Sequence, residues 1–122
     1  MSRCAAPPAV VFSINCPARE VLEAVSSKWA ALLLIALSGR TVRFGALRRE
    51  VEGISQKMLT QSLRMLERDG LVARRVHDAS PAHVDYMLTD LGEDLSRVLC
   101  QLREWSVDNA PAIAAARGRF DG

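Results

Sequence analysis

The sequence predicts an α+β, mostly helical domain in which a helix-turn-helix is followed by a β-hairpin wing. Three observations predict it. The stretch from Ile54 to Gly70 holds a single helical period. A shorter helical segment, Phe44 to Val51, precedes it across the tight turn Gly53-Ile54. After Gly70 the apolar period changes from 3.6 to 2, which marks two strands.

Residues 1–14 contain Pro7 and Pro8 and no period, and are expected to form a flexible N-terminal arm. Cys16-Pro17 marks a helix start, because proline suits the first helical position, where its missing N–H costs nothing. Ala18, Val21, Leu22 and Val25 give that helix a short apolar face. The next segment, Lys28 to Leu37, is apolar nearly all round through Trp29, Leu32, Leu33, Ile35, Ala36 and Leu37. It is expected to be the central buried helix, ended by Gly39. Thr41-Val42-Arg43 leaves room for one short extended segment. In the helix that follows, Phe44, Leu47 and Val51 face inward, and Arg48 and Arg49 face out.

The helix after Gly53-Ile54 organises the chain. With Leu59 at zero and about 100° per residue, Leu63 and Leu66 fall within about 40° of it, flanked by Met58 and Ser62. Lys57, Gln61, Arg64 and Arg68 fall on the opposite side, with Gln56 and Thr60 beside them. Ser55 suits the N-cap, since its hydroxyl can accept from an orphan N–H of the first turn, although Met58 leaves no capping box. Gly70 can take the left-handed conformation that closes a helix, setting Leu71 against Leu66 in a Schellman ending. The span, about Gln56 to Asp69, is about 21 Å long at about 1.5 Å per residue.

Leu71 to His77 and His83 to Leu88 read as strands, the second alternating Val84, Tyr86 and Leu88 with His83, Asp85 and Met87. Asp78 to Ala82 is the loop between them. A hairpin directly after a reading helix is the order of a winged helix, and it puts Arg74, Arg75 and His83 on or near the wing. Thr89 caps a last helix, about Asp90 to Val107, with an apolar stripe of Leu91, Leu95, Val98, Leu99, Leu102 and Trp105. The organisation is an arm (1–14), a winged helix-turn-helix domain (15–107) and an alanine-rich C-terminal tail (108–122), helical or frayed.

The net charge of +2 conceals an asymmetry. Between Arg40 and Arg75 stand nine basic residues against four acidic ones, so that segment carries +5 and the remainder −3. A basic centre in a near-neutral chain suggests a localised face for a polyanion. The most apolar run, Trp29 to Leu37, is far shorter than the roughly 20 residues that span a bilayer. No targeting segment is visible, so a cytoplasmic location without membrane contact is expected. Cys4, Cys16 and Cys100 are spaced like neither a disulfide framework nor a zinc site.

Seven pieces of the sequence resemble the HxlR-type winged helix-turn-helix transcriptional regulators of bacteria and archaea. They are Cys16-Pro17, Lys28-Trp29, Arg43 to Arg48, Gly53 to Thr60, Leu63 to Glu67, Asp69 to Val72, and Tyr86-x-Leu88-Thr89-x-x-Gly92. Each is weak alone; their joint order, from Cys16 to Trp105, carries the resemblance. It implies a winged helix-turn-helix with extra N- and C-terminal dimerisation helices. Two reading helices of a homodimer would address successive major grooves of a pseudo-palindromic operator, each wing meeting the flanking backbone. Repressors and activators both occur in the family. Some relatives sense oxidants or electrophiles through a cysteine at the place of Cys16. No cofactor or catalytic residue is implied.

Ser55, Gln56, Lys57, Thr60, Gln61 and Arg64 are the DNA-binding candidates on the reading helix. Base edges are usually met from its first turns, where glutamine pairs with adenine and arginine with guanine. Arg68, in the last turn, is adequately explained by the helix dipole. Arg43, Arg48, Arg49, Arg74, Arg75 and His83 are candidates for backbone contacts, against a merely solvated basic surface. Cys16, at a helix N-cap with Arg19 one turn on, is a candidate redox sensor or a packing residue at a dimer seam. Trp29 and Trp105 read as core, with an effector pocket for a small molecule as the alternative. His77 and His83 flank the loop, yet no carboxylate or thiol pattern accompanies them, so no metal is expected. A ligand-responsive regulator without thiol sensing, and a winged helix that docks an acidic protein, are the competing functions. A cysteine enzyme lacks His and acid partners near Cys16.

Overall fold

The computed structural model describes residues 12–122. Most of the expected arm, and Cys4 with it, lies outside them. The helices are α1 (Pro17–Val25), α2 (Lys28–Ala36), α3 (Phe44–Glu50), α4 (Gln56–Arg68) and α5 (Asp90–Asp121); the strands are β1 (Thr41–Arg43), β2 (Val72–His77) and β3 (His83–Leu88). The sheet is antiparallel in the order β1-β3-β2. The chain is therefore a mostly helical α+β winged helix-turn-helix.

The core forms where the leucines of three helices meet. Leu33, Leu34 and Leu37 from α2 and its cap, Leu47 from α3, and Leu59 and Leu63 from α4 are wholly or almost wholly shielded from solvent. Burying each such side chain contributes about 1.5–3 kcal/mol. Val42, Val72 and Leu88 close the core from the sheet. The central buried helix is thus α2, as its all-round apolarity predicts.

Both ends of α4 follow the sequence chemistry. Ser55 Oγ accepts from the Met58 N–H at 3.1 Å. At the other end the Leu71 N–H bonds the Leu66 carbonyl at 2.9 Å and the Gly70 N–H bonds that of Glu67 at 3.0 Å, with Gly70 at φ +77. That pair of bonds is the Schellman motif. It also moves the expected start of β2 from Leu71 to Val72, because the Leu71 N–H is spent on the helix. Thr89 joins three elements here: its hydroxyl donates to the Gly70 carbonyl and accepts from the Gly92 N–H, while its backbone N–H bonds the Leu71 carbonyl.

The last helix departs from expectation twice. It does not stop near Val107 but runs to Asp121, so the tail is helical. Pro111 removes one backbone bond, yet the alanine-rich turns after it favour helix, and Ser106 and Asn109 donate to the Leu102 and Trp105 carbonyls at 2.8 Å. Second, Trp105, expected in the core, lies outside it, and of the apolar stripe only Leu95 and Leu99 pack inward. Gly92, Ser96 and Leu99 are the buried positions, and Leu91, Val98, Leu102 and Trp105 are 55–60% exposed. At about 100° per residue the stripe is centred about 100° round the helix from the Gly92–Ser96–Leu99 line. Trp105 is accordingly not core, whereas Trp29 packs against it. Val21 and Leu22 of α1 are likewise exposed.

Candidate nucleic-acid interface

Burying Leu59, Leu63 and Leu66 turns the polar side of α4 outward, so Gln56, Lys57, Thr60, Gln61, Arg64 and Arg68 are all exposed. Between this helix and the hairpin opens a cleft of about 690 Å³, lined by Thr60, Arg64, Glu67, Arg68, Arg74 and Tyr86. Arg74 spans it, its Nε 3.5 Å from Glu67 Oε1, an ion pair between the hairpin and α4. Tyr86 stands at the base against Phe44, ring centroids 6.4 Å apart. Burial pushes its hydroxyl above the ordinary tyrosine value, against the opposing field of Arg74, so the ring stays neutral.

Strand register divides the hairpin cations. Arg74 pairs with Tyr86 on the face toward α4, whereas Arg75 and Arg43 both pair with Asp85 on the other face. The two adjacent arginines, alike in sequence, therefore serve different surfaces. Arg48 Nη1 reaches Gln56 Oε1 at 3.4 Å, linking α3 to the start of α4. Arg40 grips Glu50 with two bonds of 2.8 Å. The hydrogen bond to Arg40 holds the Glu50 carboxyl below its ordinary value, and the same bond raises Arg40. By contrast, Arg43, Arg48, Arg49, Lys57, Arg64 and Arg75 form no ion pair among the described residues. Of these, Lys57 and Arg64 stand on α4 and Arg48 leans on its start, and uncompensated cations on an exposed helix are an electrostatic footprint for a polyanion.

His83 lies apart from this helix face. Its Nδ1 is 2.9 Å from the Pro81 carbonyl, and its ring stacks on His77 at 4.4 Å. The carboxylate that the sequence reading did not give these histidines is Asp85, whose Oδ2 is 2.9 Å from His77 Nε2. Period-2 alternation carried the signal, since it sets His83 and Asp85 on one strand face; the hairpin register adds His77. Cys16 is the N-cap residue of α1, partly exposed and without a side-chain capping bond. Arg19 is not aimed at it: Arg19 Nε bonds Glu23 Oε2 at 3.2 Å and its Nη1 the Phe12 carbonyl at 2.8 Å.

The model of a family described as HxlR-like helix-turn-helix matches residues 24–114. The chain belongs to the HxlR-like family. It is similar to the HTH-type transcriptional regulator YtfH of Escherichia coli, 46% identical over 107 residues that cover 88% of this chain and 85% of YtfH. The solved structure of YtfH from Salmonella typhimurium superposes with a TM-score of 0.83 at 45% identity, covering 88% of this chain and 96% of that one. The redox regulator HypR in its oxidized form superposes with a TM-score of 0.71 at 37% identity, covering 77% and 97%. This HxlR-like chain is accordingly a helix-turn-helix transcriptional regulator. None of its described helices is long and apolar enough to cross a membrane.

Proposed function

We propose that the chain is a homodimeric, sequence-specific DNA-binding regulator that works in the cytoplasm and reads a pseudo-palindromic operator through α4. The observation that carries this is the outer face of α4, exposed, amide-bearing and flanked by cations that pair with no described acid. Gln56, Gln61 and Arg64 suit base edges; Ser55, Lys57 and Thr60 suit phosphates or bases at the helix start. Arg43, Arg48, Arg49, Arg74, Arg75 and His83 belong to the surrounding backbone contacts. Of these, Arg48 leans on Gln56, Arg74 is shared with Glu67, and His83 lies farthest from α4 in register.

The dimer rests on α1 and α5. Val21, Leu22, Leu91, Val98, Leu102 and Trp105 are each more than half exposed on these two helices, and exposed apolar side chains that gather on one surface mark an interaction site. Two copies joined there present reading helices to half-sites about 34 Å apart. Genome-wide footprinting supplies the operator, and titration of operator and random duplexes tests the reading. A tight, salt-sensitive complex with the operator alone supports it, and equal affinity for every duplex refutes it in favour of a module that docks an acidic protein.

A second reading, oxidant or electrophile sensing through Cys16, is favoured by the exposure of that thiol at a helix N-cap and by the likeness to the redox regulator HypR. The position of Arg19 removes the cation from that case. If Cys16→Ser leaves oxidant-dependent release of the operator intact, the Cys16 sensor reading fails.

A further inference from the structure

We propose that His77, His83 and Asp85 form a divalent transition-metal site, suited first to Zn²⁺, that staples β2 to β3 just below the hairpin loop. The site stands on these residues alone; it shares His83 with the proposed backbone contacts, so metal binding is measured without DNA.

The strand register builds the cluster. His77 and His83 are direct cross-strand partners and Asp85 is two residues on, so all three project from one face of the hairpin. His77 Nε2 lies 2.9 Å from Asp85 Oδ2, and His83 Nε2 lies 3.8 Å from Asp85 Oδ1. One donor atom from each residue falls within 4.8 Å of the other two. Tetrahedral zinc, with bonds of about 2.0–2.2 Å to nitrogen and oxygen, spaces its donors about 3.3 Å apart. The two histidine-to-carboxylate distances, which end on different oxygens of Asp85, lie on either side of that value, and the stacked rings, 4.4 Å apart, turn about their side-chain bonds to bring both nitrogens to one ion.

A second observation concerns the tautomer of His83. Its Nδ1 faces the Pro81 carbonyl, which only accepts, so this nitrogen carries the proton of the neutral ring. The Nε2 lone pair is left facing the Asp85 carboxylate, and two electron-rich groups turned toward each other attract a cation between them. A backbone carbonyl that fixes the tautomer of a histidine is also the usual support for a metal ligand. On the His77 side, the proton between Nε2 and Asp85 shifts to Nδ1 as the metal binds. Nε2 becomes a donor and the ring keeps its single proton. Water completes the coordination.

Two imidazoles and one carboxylate select zinc, cobalt or nickel over magnesium and calcium, which take oxygen ligands. The three side chains are 16–32% exposed, enough for a hydrated ion to reach them. Arg43 and Arg75 share this face and pair with Asp85 in register. Neither lies within ion-pair distance of it, and Arg75 Nη2 turns to Met87 Sδ at 3.9 Å.

The test is a titration of Zn²⁺ and Co²⁺ into the full chain with Cys4, Cys16 and Cys100 replaced by serine, followed by chelator competition and by the imidazole nitrogen resonances. The expected result is one equivalent per chain, with shifts confined to the rings of His77 and His83. His83→Ala and Asp85→Asn should each weaken binding at least about tenfold, with circular dichroism confirming the fold; His77→Gln serves if His83→Ala loosens the hairpin. Absence of binding, binding indifferent to these variants, or binding that leaves both rings unshifted overturns the proposal, the last two meaning an adventitious ion only.

Discussion

Gly92 lies directly against the carbonyl of Leu71: a Cβ at Gly92 would overlap that oxygen and come within 3.2 Å of Leu88 Cβ. This contact seats α5 on the junction between α4 and the hairpin, where Thr89 already bonds the Gly70 and Leu71 backbones. The obstacle is backbone on one side, so it cannot swing aside. Gly92→Ala is predicted to lower stability by about 1–3 kcal/mol. Urea unfolding measures it, and an unchanged midpoint would disprove the contact.

Arg64 and Arg75 should differ in kind. Arg64 stands on the outer face of α4 beside the cleft, whereas Arg75 stands on the hairpin face turned away from Arg74. Arg64→Ala is predicted to change sequence preference. Arg75→Ala is predicted to weaken all duplexes alike and to flatten the salt dependence by up to about one unit of slope. Titrations of operator and random duplexes at several salt concentrations compare the two; equal losses on both duplexes for both variants contradict the assignment.

Leu102 and Trp105 sit on the exposed stripe of α5, each 55% accessible. Leu102→Glu is predicted to convert a dimer into a folded monomer, since it sets a charge on each side of a two-fold seam while touching nothing in the core. Sedimentation velocity reads the mass and circular dichroism the helix. A wild-type chain that sediments as a monomer at micromolar concentration removes the seam.

The Arg40–Glu50 pair predicts a pH dependence with a definite sign. Glu50 is held below its ordinary value, so its contribution is present above the unfolded carboxylate value and is lost as pH falls through the lowered one. Arg40 is raised from a value already far above neutrality, so it adds no dependence in the acid range. Both groups are exposed, and solvent screening keeps the effect small. The stability advantage of the wild type over Glu50→Gln should shrink on acidification; an advantage that grows would reverse the sign.

Much of the fold is legible residue by residue. The stripe Leu59–Leu63–Leu66, the Ser55 cap and the Gly70 ending locate α4 to within a residue, because caps and periods are local chemistry. β3 likewise spans the expected residues, His83 to Leu88, although all but Leu88 are half-buried and their burial does not alternate. The stripe of α5 marks an apolar surface without saying which chain buries it, and only the reading of Trp105 as core fails. The candidate site is legible in the same measure: the outer residues of α4 follow from its period, while the separation of Arg74 from Arg75 needs the strand register. Asp85 was invisible beside His77 because eight positions separate them along the chain.

The amino-acid order by itself determined the elements, both ends of α4 and the charge of the face that α4 turns outward, since each depends on neighbours within a turn or a strand pair. Tertiary packing alone decided which side of α5 meets the core, where Gly92 lets the backbone of Leu71 approach, and which cations are neutralised by Glu50 and Glu67. The physical reason is that burial and ion pairing are properties of distances between segments remote along the chain. Periodicity orients a helix about its own axis and leaves open what it will be pressed against.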